Sequence, residues 1–268
     1  MIPKVIHYCW FGGNPLPDEA IKYINSWRKY CPGYEVKEWN ESNFDLECCD
    51  YVKEAYQAKK WAFVSDYARF WILYHYGGLY FDTDVELIKP IDDLIEKGSF
   101  MGEEATEPKE HGLEANPGLG LAAAPGLGLY KEILNYYNTQ HFINSDGTLN
   151  FETIVTKTTK ILNSHGFRGD GSLEYIDNVY IYPPEYFCPL NYGTGKLVIT
   201  DNTRSIHHYS ATWHSKLEQM IISIERCDSG KDSVEYKVRR VVTLPLRMIN
   251  KLKTKGWNGV KQAIAKRL

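Results

Sequence analysis

The chain has 268 residues, 43% apolar and 24% charged, which suits a globular protein of one or two domains and excludes disorder, collagen and coiled coil. The formal net charge of −3 conceals a division, because ten Lys/Arg and no Asp/Glu fall after residue 236, leaving −13 on residues 1–236. An acidic body of this kind argues against nucleic acid as its partner.

Strand-like and helix-like patterns alternate along the body, which predicts an α/β fold with a largely parallel sheet. Residues 4–9 read as a buried strand, followed by a turn at Gly12-Gly13-Asn14-Pro15. Asp18 is the expected N-cap of a helix to about residue 30, stopped by Cys31-Pro32-Gly33, and residues 34–39 alternate as a second strand. A helix is expected from about 60 to 76, ended by Gly77-Gly78, with a strand over 79–85. The Gly- and Ala-rich stretch 102–128 predicts a loop with a short strand at 119–124. Helices follow at 127–138 and 150–164, then irregular chain around Pro183-Pro184 and 191–196, and a strand near 197–199. The simplest division is a domain at 1–225 and a basic segment at 226–268.

The N-terminus runs straight into the first strand pattern, without the apolar core and cleavage site of a secretory leader, and no long uncharged apolar run predicts a membrane span. Six cysteines without a CxxC pair then suggest buried thiols in a cytoplasmic protein.

The sharpest chemical feature is Asp82-Thr83-Asp84, directly after the apolar run Leu79-Tyr80-Phe81. Carboxylates at i and i+2 of an extended segment lie on one side. At the carboxyl end of a strand in an open α/β sheet, such a pair suits a hard divalent cation. As a bare motif it is weak, and an exposed strand end is the plain alternative. The preceding helix places Asp66 and Arg69 three apart on one face, crowded by Phe70, Leu73 and Tyr74. Those two charges read equally as a core ion pair or as ligand-binding groups.

Four separated blocks resemble glycosyltransferase family 32, the capsular-polysaccharide and Och-type sugar transferases. They are Ile2 to Gly12, Pro32-Gly33-Tyr34 with Trp39, Ser65 to Val85 including Asp82-Thr83-Asp84, and Ile206-His207-His208-Tyr209 with Trp213. The resemblance implies a GT-A fold, a Rossmann-like nucleotide-sugar-binding sandwich. It further implies a retaining hexosyltransferase using Mn²⁺ or Mg²⁺ and a nucleotide sugar, with UDP-hexose preferred, in surface polysaccharide synthesis. Trp10 would then stack on the nucleobase, Asp66 and Arg69 would hold sugar hydroxyls and phosphate, and Asp82 would contact ribose, sugar or metal. Asp84 would ligate the metal directly, His208 would complete its shell, and Trp213 would cover the diphosphate. His207 is an equally allowed ligand on chemistry alone. The family's Ser-Trp ending is Thr212-Trp213 here, which keeps the hydroxyl.

Charge sets the expected mechanism. Negative charge growing on the departing diphosphate is met by a metal at Asp84 and by polar donors, and a departing phosphate oxygen accepts the acceptor's proton, so no dedicated base is nominated. Asn116 is a candidate for a donor-sugar contact, and Glu103 and Glu104 for sugar or acceptor contacts. Gly118-Leu-Gly120 lacks the spacing of a nucleotide loop and reads as flexible structure and tight packing.

Residues 237–268 carry apolar positions at helical spacing (Leu246, Ile249, Leu252; then Trp257, Val260, Ile264, Leu268) among Lys and Arg. This pattern predicts helices lying on an anionic membrane, placing the protein on the inner face beside a glycan or lipid-linked acceptor. A helix packed on the chain's own acidic body is the alternative. From other functional classes, a non-catalytic nucleotide-sugar or carbohydrate-binding protein would use the same residues, and a metal-dependent phosphohydrolase would need more clustered ligands.

Overall fold

The computed structural model describes residues 1–105, 112–210, 216–225 and 233–252. By chain contacts it divides into two units, Met1–Pro189 with Val198–His208, and Leu190–Leu197 with Tyr209–Leu268.

The first unit is an α/β layer structure around a seven-stranded sheet. Its opening strand β1 (Val5–Cys9) pairs in parallel with β2 (Glu35–Trp39) and with β3 (Gly78–Tyr80). Next in the sheet come β6 (Leu113–Ala123), β5 (Ser99–Ala105), β8 (Val179–Tyr182) and β7 (Glu174–Ile176), giving the order β2-β1-β3-β6-β5-β8-β7. Only β6 and β7 run against the other five strands, so the sheet is mostly parallel, as expected. A two-stranded antiparallel ladder joins β4 (Val85–Leu87) to β9 (Ser205–His207).

Helix α1 (Asp18–Tyr30) forms because Ala20, Tyr23, Ile24 and Trp27 recur on one face and are buried. Its acidic first turn and basic last turn suit the helix dipole. Pro17, not Asp18, holds the N-cap position, and Asp18 begins the helix. The Trp27 indole donates to Val85 O at 2.7 Å, fixing α1 beneath β4. Helix α2 (Asp50–Gln57), not expected from the sequence, precedes α3 (Trp61–Tyr76). Hydrophobic side chains on several sides of α3 are buried, and the chain leaves it at Gly77 with φ of 66°, a conformation that favours glycine. Beyond α4 (Asp92–Lys97) come α5 (Gly128–Asn138) and α6 (Ile154–Ser164), the latter capped by the Thr153 side chain, which accepts from Thr156 N. Short α7 (Pro184–Phe187) begins at the second proline of the pair.

Three sequence expectations fail locally. The strand expected at 79–85 is two strands broken by a turn, with Val85 N donating to Asp82 O at 3.0 Å. The stretch 102–128, read as loop with a short strand, contributes long β5 and β6, whose inward residues are small or buried. Near 197–199 there is only an isolated bridge of Leu197 to Leu190.

The second unit contains α8 (Lys216–Glu225) and α9 (Val234–Val242), with helical residues continuing over 244–252. None of the described helices is long and apolar enough to cross a membrane.

Candidate active site

The site is assembled where β3 leaves the sheet. His7 of β1 is in register with Tyr80 of β3, so the chain beyond Cys9 and the turn at Asp82–Asp84 emerge at the same carboxyl edge. In an open α/β sheet that edge is where ligands bind. In the turn that breaks the expected strand, both carboxylates are half-buried.

Asp82 is held by Arg69. Arg69 Nη1 lies 3.2 Å from Asp82 Oδ2 and Nη2 3.1 Å from Oδ1, a forked contact, while Nη2 also reaches Asp66 Oδ1 at 3.1 Å. Arg69 Nε donates to Ser65 O at 3.2 Å, and the guanidinium sits 4.9 Å from the Tyr80 ring centre. A planar fork of five donors is required to serve both carboxylates and a carbonyl together. Burial pushes Asp66 up to about 6, against the pull of Arg69, and burial likewise raises Asp82. Tyr80 Oη donates to Asp82 Oδ1 at 3.1 Å.

Asp82, Asp84 and His207 bring one potential ligand atom each within 4.8 Å of one another. His207 Nε2 lies 3.2 Å from Asp84 Oδ1. Burial disfavours its imidazolium, but Asp84, then Asp82 and Glu104, outweigh it and raise its pKa. Two carboxylates and an imidazole this close together form a donor set suited to Mn²⁺ or Mg²⁺.

His208, the histidine that the family resemblance implies for this shell, lies elsewhere. Successive side chains of a strand and its extension face opposite ways. His208 therefore stacks on Tyr23, with ring centres 4.4 Å apart, and its Nε2 lies 2.8 Å from Glu86 Oε2. His207, opposite Val85 in the β4–β9 ladder, faces the aspartates.

A third wall comes from β6. The β5–β6 ladder jumps from the pair Met101–Leu121 to the pair Gly102–Asn116, so residues 117–120 bow out of register. Asn116 Nδ2 donates to Glu104 Oε2 at 2.8 Å, and Asn116 Oδ1 accepts from Gly118 N at 2.7 Å. A methyl group on Gly118 would stand 2.5 Å from Asp82 Oδ2 and 3.0 Å from Asn116 Oδ1. Gly118 is thus the residue that lets β6 pass beneath Asp82, a role its sequence context signals only as a glycine within an apolar run.

Of the other sequence candidates, Trp10 is half-buried just past β1, with its indole N–H donating to Asn14 O at 2.6 Å. Glu103 points away from this wall. It is fully buried, its carboxyl pushed up to about 8 by burial and by the nearby Glu174 and Asp170. Glu104, the next residue, faces the site instead. Trp213 lies outside the described residues.

With this geometry in view, residues 17–101 match the glycosyltransferase sugar-binding region containing a DXD motif. That match takes in about a third of the chain, including both aspartates of the site. Over 111 residues the chain is 35% identical to inositol phosphoceramide mannosyltransferase 1 of Schizosaccharomyces pombe, covering 37% of this chain and 33% of that protein. The match therefore spans about a third of that relative's length. Over 208 residues the chain is 28% identical to the uncharacterized glycosyltransferase L373 of Acanthamoeba polyphaga mimivirus, covering 70% and 78% of the two proteins. Among solved structures, a glycosyltransferase involved in the glycosylation of the major capsid of PBCV-1 aligns at 16% identity, covering 79% of this chain and 95% of that one, with a TM-score of 0.46. The DXD within the matched region is Asp82-Thr83-Asp84, and Asp66 and Arg69 fall inside that region as well. His207, Asn116 and Gly118 fall outside it and join only through the fold.

Proposed function

We propose that this protein is a retaining, divalent-metal-dependent glycosyltransferase of GT-A type. It moves a hexose from a nucleotide sugar, with UDP-hexose the preferred donor, to a glycan or lipid-linked acceptor in surface polysaccharide synthesis. The observation that carries the reading is the convergence of Asp82, Asp84 and His207 beside the Asp66–Arg69–Asp82 charge network.

Asp84 and His207 would hold the divalent cation, with Asp82 beside them. Bound there, Mn²⁺ or Mg²⁺ supplies Lewis-acid stabilisation to a leaving diphosphate. The residues themselves explain the rest. Arg69 fixes the Asp82 carboxylate from behind through two parallel contacts, so that its orientation is set before substrate arrives. Asp66 shares that guanidinium and is suited to accept from a sugar hydroxyl. Asn116, oriented by Glu104 and Gly118 N, places its amide on the β6 wall beside Asp82. Trp10 offers an aromatic face at the neighbouring strand end.

The test is release of nucleotide from a panel of UDP- and GDP-sugars, with and without Mn²⁺ and candidate acceptors. GDP-mannose belongs in it because two relatives are named as mannosyltransferases. Turnover with one donor, dependent on metal and lost in Asp84→Ala, supports the reading. Absence of turnover with every donor, metal and acceptor sinks it. Retention is checked by the anomeric configuration of the product.

A further inference from the structure

In the second unit, the helical residues from Val234 to Leu252 are built inside out. Their inward side is polar: Arg239 Nη1 donates to Ile224 O at 3.2 Å, Arg247 Nε to Glu225 Oε1 at 2.6 Å, and Asn250 Nδ2 to Glu218 Oε1 at 3.1 Å. Thr243, fully buried, donates to the same Glu225 carboxylate. These bonds tie the segment to α8 by charge and hydrogen bonding.

The outward side is apolar. Val234, Val238, Val241 and Val242 are 56–77% exposed, and Met248 and Ile249 continue the row at 37% and 44%. At 3.6 residues per turn these six positions fall within an arc of roughly 120°, a single stripe. Helical conformation carries across Thr243, whose N donates to Arg239 O at 3.0 Å while its O accepts from Arg247 N at 2.9 Å. The valines and the Met248–Ile249 pair therefore share one face. Lys237, Arg240 and Lys251, all exposed, lie along one edge of it. Beyond residue 252 the sequence adds five more Lys/Arg and no acid.

We propose that this stripe docks on an anionic lipid bilayer. The valines, Met248 and Ile249 enter the boundary between headgroups and acyl chains, and Lys237, Arg240 and Lys251 meet lipid phosphates. Charge selects this occupant. A two-fold contact between copies would set the same cations against each other, whereas an anionic surface complements all of them and leaves the stripe buried. Docking of this face is independent of the chemistry at Asp82 and Asp84.

The experiment is co-sedimentation of the full chain with phosphatidylcholine vesicles, with and without about one third phosphatidylglycerol. Sedimentation equilibrium without lipid and far-UV circular dichroism accompany it. The wild type should partition onto the anionic vesicles roughly tenfold better than onto the neutral ones. Val238→Ser/Val241→Ser should lose roughly tenfold of that binding with helicity unchanged. Lys237→Ala/Arg240→Ala/Lys251→Ala should lose the preference for anionic lipid. Binding of the double serine variant equal to wild type overturns the stripe as the docking element. So does absence of any anionic preference, or a lipid-free dimer that the serine variant dissociates, which would make a second copy the occupant.

Discussion

His207 Nε2 lies 3.2 Å from Asp84 Oδ1, joining the last strand of the first unit to the turn that follows its third. The neighbouring His208 is spent on Tyr23 and Glu86. These two adjacent histidines therefore have separable roles. His207→Ala should weaken Mn²⁺ binding by roughly 10–100-fold and lower donor turnover with it. His208→Ala should leave Mn²⁺ affinity nearly unchanged while lowering stability by about 1 kcal/mol through the lost stack and hydrogen bond. Calorimetric Mn²⁺ titration of both variants decides this, and equal losses of affinity would refute the assignment.

Arg69 is the only described cation contacting both Asp66 and Asp82. Removing it leaves two carboxylates in a buried setting without their partner, a change of about 3–5 kcal/mol in cases of this kind. Arg69→Ala should thus unfold at markedly lower urea concentration. Arg69→Lys keeps the charge but cannot fork, so it should recover part of the stability and little of the kcat/KM. If lysine restores full turnover, the forked geometry is irrelevant to the site.

Gly118→Ala tests the close approach of β6. With a Cβ 2.5 Å from Asp82 Oδ2, either the carboxylate or the strand must shift. Expected are a native-like circular dichroism spectrum and a loss of turnover of roughly 100-fold, as displacements near 1 Å produce at reacting centres. Full activity of the variant would show that Asp82 has room to spare.

His7 predicts a pH dependence of stability. It is buried, with Nδ1 accepting from Trp39 Nε1 at 3.0 Å and Nε2 therefore donating to Gly77 O at 3.0 Å, an arrangement only the neutral ring satisfies. Burial lowers its pKa from 6.5 to about 4. Between those values the unfolded chain binds a proton that the native state does not, so stability rises with pH across the window. It is fully present above 6.5 and is lost as pH falls towards 4. Asp66, raised to about 6, acts with the opposite sign between its ordinary value and 6. Comparison with His7→Gln isolates the histidine: between pH 7.5 and 4.5 the wild type should lose about 2–3 kcal/mol more in urea unfolding. A parallel loss in both proteins would exclude His7 as the source.

Much of the first unit was legible in the sequence because its signals are local. The periodic burial of α1, the glycine stop of α3, and the strand β1 all follow from residues within a turn or two of each other. So does the presence of a carboxylate pair at a strand end beside Asp66 and Arg69. The length of β5 and β6 was not legible, because a Gly- and Ala-rich stretch has little local strand preference. It becomes sheet by pairing with neighbours and covering by helices.

The sequence by itself determined which residues carry charge and metal-ligating chemistry, and that ten cations follow residue 236 without an acid. Only the tertiary structure decided which of His207 and His208 faces the aspartates, because strand alternation gives one of two neighbours to each face and pairing with β4 decides which. It alone brought Asn116 and Gly118 to Asp82, through a loss of register between two strands. It also decided which side of the basic segment faces out: local spacing shows that a helix is amphipathic, and packing against α8 leaves one side outside. In residues 234–252 that side is the apolar one.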